Sequence, residues 1–552
     1  MKFVVLCLIS VILSGCATYR NDIDEGLTLA HEGNWKAAES SMDEALNSSQ
    51  DQLLFYLEKG ALAQYQKDYE RSNELLEEAE KISDTFFSTS YSNRAWALLT
   101  NPRQSDYRGN GLERVYISYL KSLNYLALSE QATSSSKKQQ LMDASLVEAR
   151  RIDLKLNEIA AQSISYEDLD AKEDQAFYMK AIEWLGNFYQ GGRSSDQYEY
   201  REDAWARYLE GIQYEKSKEY DDARISYESA AKLYEAGYAK QYDLTPDAAT
   251  RAWLDAIRMM QKGGWSRSEV TEAIDAHLTP PYKTLLEEYK KHDAEIVVLE
   301  HQGFVPAKKE MSLMLFADPA AYSLVLEPLH GGGRIEENDA FRWFTMVYSD
   351  ATPLGLIANY KAGGAWRAVD GLFNKRVILG RPVWSQLSAT GLDGMLMEQP
   401  LRITVPYYSR FSLDQSKTGV SAGTFTDDHS LTMTSLADIY LQNQLKTAQR
   451  DIYESLIREM IRGWLAYQVQ SNIDDQGASM LIGLVSKVAV FISSAADTRN
   501  WLTLPAQVRL TRMPIDSGNY SLSYNVGDTT FDMPETSITT DDLVIWNIRN
   551  PN

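Results

Sequence analysis

The feature that most constrains this chain is a step of 34 residues. In GLTLAHEGNWKAAESSMDEAL the positions Gly26, Trp35, Ala38, Met42 and Ala45 recur as Gly60, Tyr69, Ser72, Leu76 and Ala79 in GALAQYQKDYERSNELLEEAE. A third copy, GIQYEKSKEYDDARISYESAAKL, sets Gly211, Tyr220, Ala223, Tyr227 and Ala230 at the same offsets, with Tyr214 as an added match. Such a unit is a helix pair that cannot bury its apolar face alone. Stacked neighbours are required.

The period is that of tetratricopeptide (TPR) repeats. Small residues let the two helices of a pair approach, and the aromatic at the turn fills the gap to the next pair. Ser72 departs from the pattern. Between the second and third copies, GLERVYISYLKSLNYLALSE and LMDASLVEARRIDLKLNEI have helical apolar periodicity, with the polar ATSSSKKQQ between them suiting a loop. Helices continue to about residue 292, and Ser266 with Glu269 has the spacing of a capping box.

The period changes near Ile296. IVVLE, MSLMLF, YSLVLE, LRITVPYY, AQVRLTRM, YSLSYNV and DLVIWNI are short apolar runs punctuated by Pro and Gly, which predicts strands. A long helix, LADIYLQNQLKTAQRDIYESLIREMIRGWLAYQVQ, interrupts them, and MLIGLVSKVAVFI from Met480 to Ile492 suits a buried helix. It is too short to span a bilayer, and it carries Lys487. The expected fold class is α+β multidomain: an N-terminal all-α TPR-like superhelix over 16–295, then an α+β domain with a mainly antiparallel sheet over 296–552.

The chain opens with MKFVVLCLISVILSGC, a lysine, an apolar run and small residues ahead of a cysteine. That is the pattern of a secretion signal. Leu13-Ser14-Gly15-Cys16 resembles the bacterial lipobox, which implies that residues 1–15 are removed and Cys16 is lipidated. Ala17 follows and not Asp, which by resemblance to Gram-negative lipoproteins implies the outer membrane, lipid-anchored and mainly on the periplasmic side. Cys7 and Cys16 are the only cysteines, so the mature chain has no thiol for a disulfide or a cysteine nucleophile.

A formal charge of -22 repels phosphate backbones, and no basic stripe offsets it locally. Nucleic acid is not an expected partner.

YRGNGLERVYISYLKSLNYLAL, LVEARR, GFVPAKKE, then ADTRNWLTLP with IDSGNYSL follow one another in this chain. In that order they resemble a family of bacterial lipoproteins with N-terminal TPR-like repeats and a C-terminal DTRxWxxLP segment. The resemblance spans most of the mature chain except about 317–400. It implies location and domain order but supplies no catalytic residues; genes of that family can lie beside those for lipoproteins that activate peptidoglycan synthases. Within ADTRNWLTLP, the residues themselves suggest that Asp497 and Arg499 pair or cap the end of the preceding apolar helix, that Trp501 fills a core and that Pro505 ends the segment.

Two short motifs look like chemistry. His330-Gly331-Gly332-Gly333 resembles an esterase oxyanion motif, and Gly419-Val420-Ser421-Ala422-Gly423 matches G-x-S-x-G. A nucleophile elbow requires a buried strand before the serine and a helix after it, whereas SLDQSKTG is polar and TFTDDHS is turn-like. The only later histidine, His429, is eight residues on, in the same polar stretch. EEND at 336–339 and DDH at 427–429 lack the ligand spacing of a calcium loop, and both are expected to be solvated acidic loops. His31, His277, His292 and His301 show no paired metal spacing, and no phosphate-binding glycine loop is present. No catalytic residue, metal or cofactor is expected.

The expected role is a scaffold or adaptor that binds other envelope proteins through its helical repeats. A structural subunit of an envelope assembly and a hydrolase using Ser421 are the alternatives. The first helix of each TPR pair lines the concave face, so the 34-residue register places His31, Tyr65, Tyr208 and Glu215 there as candidate partner-binding residues; the alternative is that they only solvate a structural superhelix or pack on the C-terminal domain.

Overall fold

The computed structural model describes residues 19–88, 105–162, 203–329, 335–349, 373–389, 391–398, 400–409, 416–471 and 495–552. Cys16, the HGGG at 330–333 and the apolar segment 480–492 lie outside them. The protein is α+β and multidomain, with a helical region followed by a region of mainly antiparallel strands.

The helical region comprises α1 (Tyr19–His31), α2 (Trp35–Ala45), α3 (Gln52–Tyr65), α4 (Tyr69–Ser88), α5 (Gly111–Gln131), α6 (Ser135–Gln162), α7 (Ala204–Lys216), α8 (Tyr220–Leu233), α9 (Asp247–Lys262), α10 (Arg267–His277) and α11 (Pro280–Tyr289). The conserved offsets correspond to one steric device used three times. A Cβ on Gly26 would stand 2.8 Å from Met42, one on Gly60 would stand 2.7 Å from Leu76, and one on Gly211 would stand 2.6 Å from Tyr227. Each glycine admits the large side chain sixteen residues later, so the helices of a pair close on each other. Ser72 keeps this small-residue role and adds a bond, its hydroxyl donating to the Gly60 carbonyl at 2.7 Å. The predicted capping box is present: Ser266 Oγ accepts from the Glu269 N–H at 3.3 Å, and Glu269 accepts from the Ser266 N–H at 3.1 Å. The polar ATSSSKKQQ is mostly helix instead of loop, since α6 already begins at Ser135. Lys137, Lys138, Gln139 and Gln140 are good helix formers that extend it by more than a turn.

The strands are β1 (Ala294–Gln302), β2 (Lys308–Asp318), β3 (Ser323–Pro328), β4 (Lys375–Ile378), β5 (Leu401–Tyr408), β6 (Thr418–Ala422), β7 (Phe425–Asp427), β8 (Leu431–Ser435), β9 (Gln507–Ile515), β10 (Gly518–Val526), β11 (Thr529–Ile538) and β12 (Leu543–Asn550). Helices α12 (Ile335–Trp343), α13 (Gly380–Ala389), α14 (Leu392–Glu398) and α15 (Leu436–Ser471) punctuate them. EEND at 336–339 is therefore part of α12 and not an acidic loop, and Asp339 is buried.

Among the described residues three four-stranded sheets form, ordered β12-β1-β9-β8, β11-β10-β6-β7 and β4-β3-β2-β5. Among the described strands β1 and β12 pair in parallel and the rest pair antiparallel.

The first sheet is the hinge of the architecture because both of its faces are covered. Val297 and Leu299 of β1, with Val508 and Leu510 of β9, join a core shared with the helices. Their neighbours Ile296, Val298, Met513 and Ile515 join a second core against the β6 and β10 side chains of the second sheet. The two-residue period of a strand thus sends alternate side chains to opposite layers. That is why IVVL reads as an unbroken apolar run. The first core runs from Ile23 in α1 to Leu543 in β12 and includes Leu313, Leu324 and Ile403 of the third sheet. The helical and strand regions share one interior.

Candidate functional site

The first helix of each pair faces inward, and what it faces is the chain's own C-terminal region. The irregular stretch 495–506, the end of strand β12 and, further along, β1 and β9 meet these inner helices.

Glu58 of α3 is fully buried, and its carboxylate accepts from the N–H groups of Leu502 and Thr503 at 2.8 and 3.0 Å and from the Thr503 hydroxyl at 2.6 Å. One helix pair further along, Glu113 of α5 accepts from the Trp501 N–H at 2.9 Å and from the hydroxyls of Tyr107 and Tyr440. Arg499 bonds Asp497 at 2.8 Å and Asp51 at 3.0 Å, and Trp501 is fully buried. A segment without regular structure must find partners for its main-chain donors, and these two carboxylates supply them.

The four sequence-derived residues lie on this surface. Tyr65 donates to the Thr503 carbonyl at 2.7 Å. With Trp35 and Phe304 it also surrounds the Arg549 guanidinium, whose carbon is 4.7 Å from the Tyr65 ring and 4.2 Å from the Phe304 ring. His31, exposed at the rim, sets its ring edgewise on Phe304 at 4.6 Å, and its Nδ1 is 3.1 Å from the Pro551 carbonyl oxygen. Tyr208 and Glu215 are buried beneath β9. All four touch residues of the same chain, 503, 549, 551 and 512, which is packing on the C-terminal region, the alternative to a partner groove.

Tyr208 and Glu215 belong to a buried charge cluster between α7, α9, β1 and β9. Arg512 of β9 donates to Glu295 at 2.7 Å and to Glu215 at 2.7 Å, and lies 3.2 Å from Asp255. Arg258 bonds Glu295 at 2.6 Å and Asp255 at 2.7 Å, and Arg251 bonds Asp255 at 2.8 Å. Tyr208 donates to Asp255, and Tyr227 to Glu215 at 2.8 Å. Three buried guanidinium groups face three buried carboxylates, and at the rim the half-exposed Lys262 also reaches Glu215 at 3.5 Å. Burial pushes each carboxyl's pKa up, but the arginines outweigh it: Arg512 and Arg258 hold Glu215 below the usual range, and Arg251, Arg512 and Arg258 bring Asp255 to about 2. All three stay ionised across the physiological range.

Nearby, Glu210 shows the opposite balance. Burial, countered by Arg207 and reinforced by Asp153, raises its pKa from 4.5 to about 7. A carboxyl with a raised folded-state pKa stabilises the fold while protonated. That contribution is complete below about pH 4.5 and is lost as pH rises through about 7. Glu210→Gln should remove this dependence and stabilise the protein at pH 8 by roughly 1–3 kcal/mol, with little change at pH 4.5. Urea titrations of both proteins at the two pH values measure it; parallel curves would contradict the assignment.

Ser421 is the next-to-last residue of β6, opposite Ser523 of β10 and Thr426 of β7, and the turn at 423–424 leads into another strand, β7. It is flanked by extended backbone, so the strand-to-helix elbow that exposes a nucleophile is not formed there. His429 is solvent-exposed and bonds Asp427 at 3.1 Å. Asp427, Asp428 and His429 bring ligand atoms within 4.8 Å of one another, but mostly at the surface. A surface cleft of about 440 Å³ between α8, α9 and α10 holds Trp253 stacked on His277 at 3.6 Å, with the Trp253 N–H donated to Glu235 at 2.8 Å. Lys232 pairs with Glu228 at 3.5 Å in its wall, and among the described residues no nucleophile and base converge there.

Glu58, Glu113, Arg512 and Arg549 were not singled out in the sequence, yet the first three carry a signal. Glu58 stands with Leu54, Leu57, Ala61 and Leu62 on the apolar stripe of α3, and Glu113 lies among the buried Leu112, Tyr116 and Leu120. Arg512 shares its face of β9 with Val508 and Leu510. A charged residue at a core position of an otherwise regular apolar pattern is a buried-partner signal.

The chain matches no protein-family model, no curated protein and no solved structure.

Proposed function

We propose that the protein is a lipid-anchored scaffold on the periplasmic side of the outer membrane, and that its helical repeats serve first as a clamp on its own C-terminal region. The occupied inner face carries this proposal: Glu58, Tyr65, Glu113 and Glu215 are all engaged by residues after 495. A helical layer fused in this way to a sheet forms a rigid body, and envelope partners then engage its outer surfaces.

The anchor rests on Leu13-Ser14-Gly15-Cys16, and no described helix is long and apolar enough to cross a membrane. Cys16→Ser should abolish acylation and move the protein from the outer-membrane to the soluble periplasmic fraction. One acyl chain holds a protein only marginally, so losing the whole lipid group removes most of the affinity. Retention of the variant in the outer membrane would reject the anchor.

A further inference from the structure

The spacing between the anchor and the first helix sets where the protein can work. α1 begins at Tyr19, three residues after Cys16. Three residues span at most about 11 Å when fully extended. α1 and α2 form an antiparallel hairpin in which Gly26 meets Met42, so the start of α1 lies beside the end of α2 and the bend at 46–48 that follows it. Asn47, exposed in that bend, marks this end of the molecule.

We infer that the lipid surface of the bilayer is the first partner of this hairpin end, held there by a tether too short to let the body leave the membrane. The inference rests on acylation of Cys16. Its consequence is that other partners are met within one molecular length of the membrane, because no linker extends the reach.

The mature chain has no free thiol once Cys16 is acylated, so Asn47→Cys gives the full-length protein a single labelling site. The labelled lipoprotein, purified from membranes and confirmed as acylated by mass spectrometry, is reconstituted into phosphatidylethanolamine/phosphatidylglycerol vesicles containing a headgroup nitroxide lipid. Fluorescence should be quenched about twofold, and a Gly/Ser insert of about twenty residues between Ala17 and Thr18, with a span of roughly 25 Å, should return it to near the vesicle-free value. An unquenched label in the acylated protein overturns the inference while leaving the anchor intact. Quenching that survives the insert also overturns it, since the surface would then bind lipid without the tether. An unacylated Cys16 overturns both the inference and the anchoring proposal.

Discussion

Arg512→Met is expected to lower the unfolding free energy by about 3–5 kcal/mol, because it leaves three buried carboxylates facing two guanidinium groups. Methionine fills much of the arginine volume, so the loss reports charge and hydrogen bonding more than a cavity. The deficit should shrink as pH falls. In the native protein the depressed carboxyl pKa values confer stability above the unfolded value near 4, lost as pH falls through the folded values, about 2 for Asp255. In the variant the same groups protonate more readily. Adding Glu215→Gln to Arg512→Met should recover part of the loss, since the pair is then removed together. Denaturant titrations of the native, single and double variants at neutral and acid pH measure each step; a single-variant loss below about 1 kcal/mol would mean the cluster is not a buried unit.

Glu58→Ala is expected to cost about 3–5 kcal/mol, from two main-chain N–H groups and one hydroxyl left without an acceptor at roughly 1–3 kcal/mol each, partly offset by relaxation. Glu58→Gln should fall between the variant and the native protein, because its amide keeps one acceptor oxygen and turns a donor toward the segment. Hydrogen exchange localises the effect. The amides of Leu502 and Thr503 should lose protection in Glu58→Ala by more than those of the outward-facing strand β11. Equal protection in both proteins would mean that the carboxylate does not hold the segment.

Much of this architecture is legible before the fold is seen, and the part that is not has a physical cause. The glycine at each repeat start and the large side chain sixteen residues later are local features of one helix pair, so a 34-residue register displays them. Strands buried on both faces or packed regularly on one, such as β1, β2 and β5, appear as apolar runs. β11 does not: Thr529–Ile538 is an edge strand with Asp532, Pro534 and Glu535, and most of its side chains remain in solvent. β6 and β7 are short and polar on their outer faces, so they resemble turns. α12 opens with acidic residues whose helical partners, Trp343 and Phe344, come too late to reveal a period.

The site was legible in position and not in occupancy. The register puts Tyr65 and Glu215 on an inner face, but sequence alone does not tell that Thr503 and Arg512, several hundred residues on, are what they meet. An acid at position 58 of an apolar stripe implies a buried donor. It does not say whether that donor belongs to this chain or to another.

That question is the centre of the account, and a photocrosslinker at Tyr65 addresses it most directly. With p-benzoylphenylalanine at position 65 in otherwise native protein, irradiation in cells followed by peptide mapping should give an intramolecular adduct to residues 499–505 or to the region around Arg549, with no adduct of higher mass. An adduct between Tyr65 and another envelope protein, with the internal adduct lost, would show that the inner face is a partner groove after all.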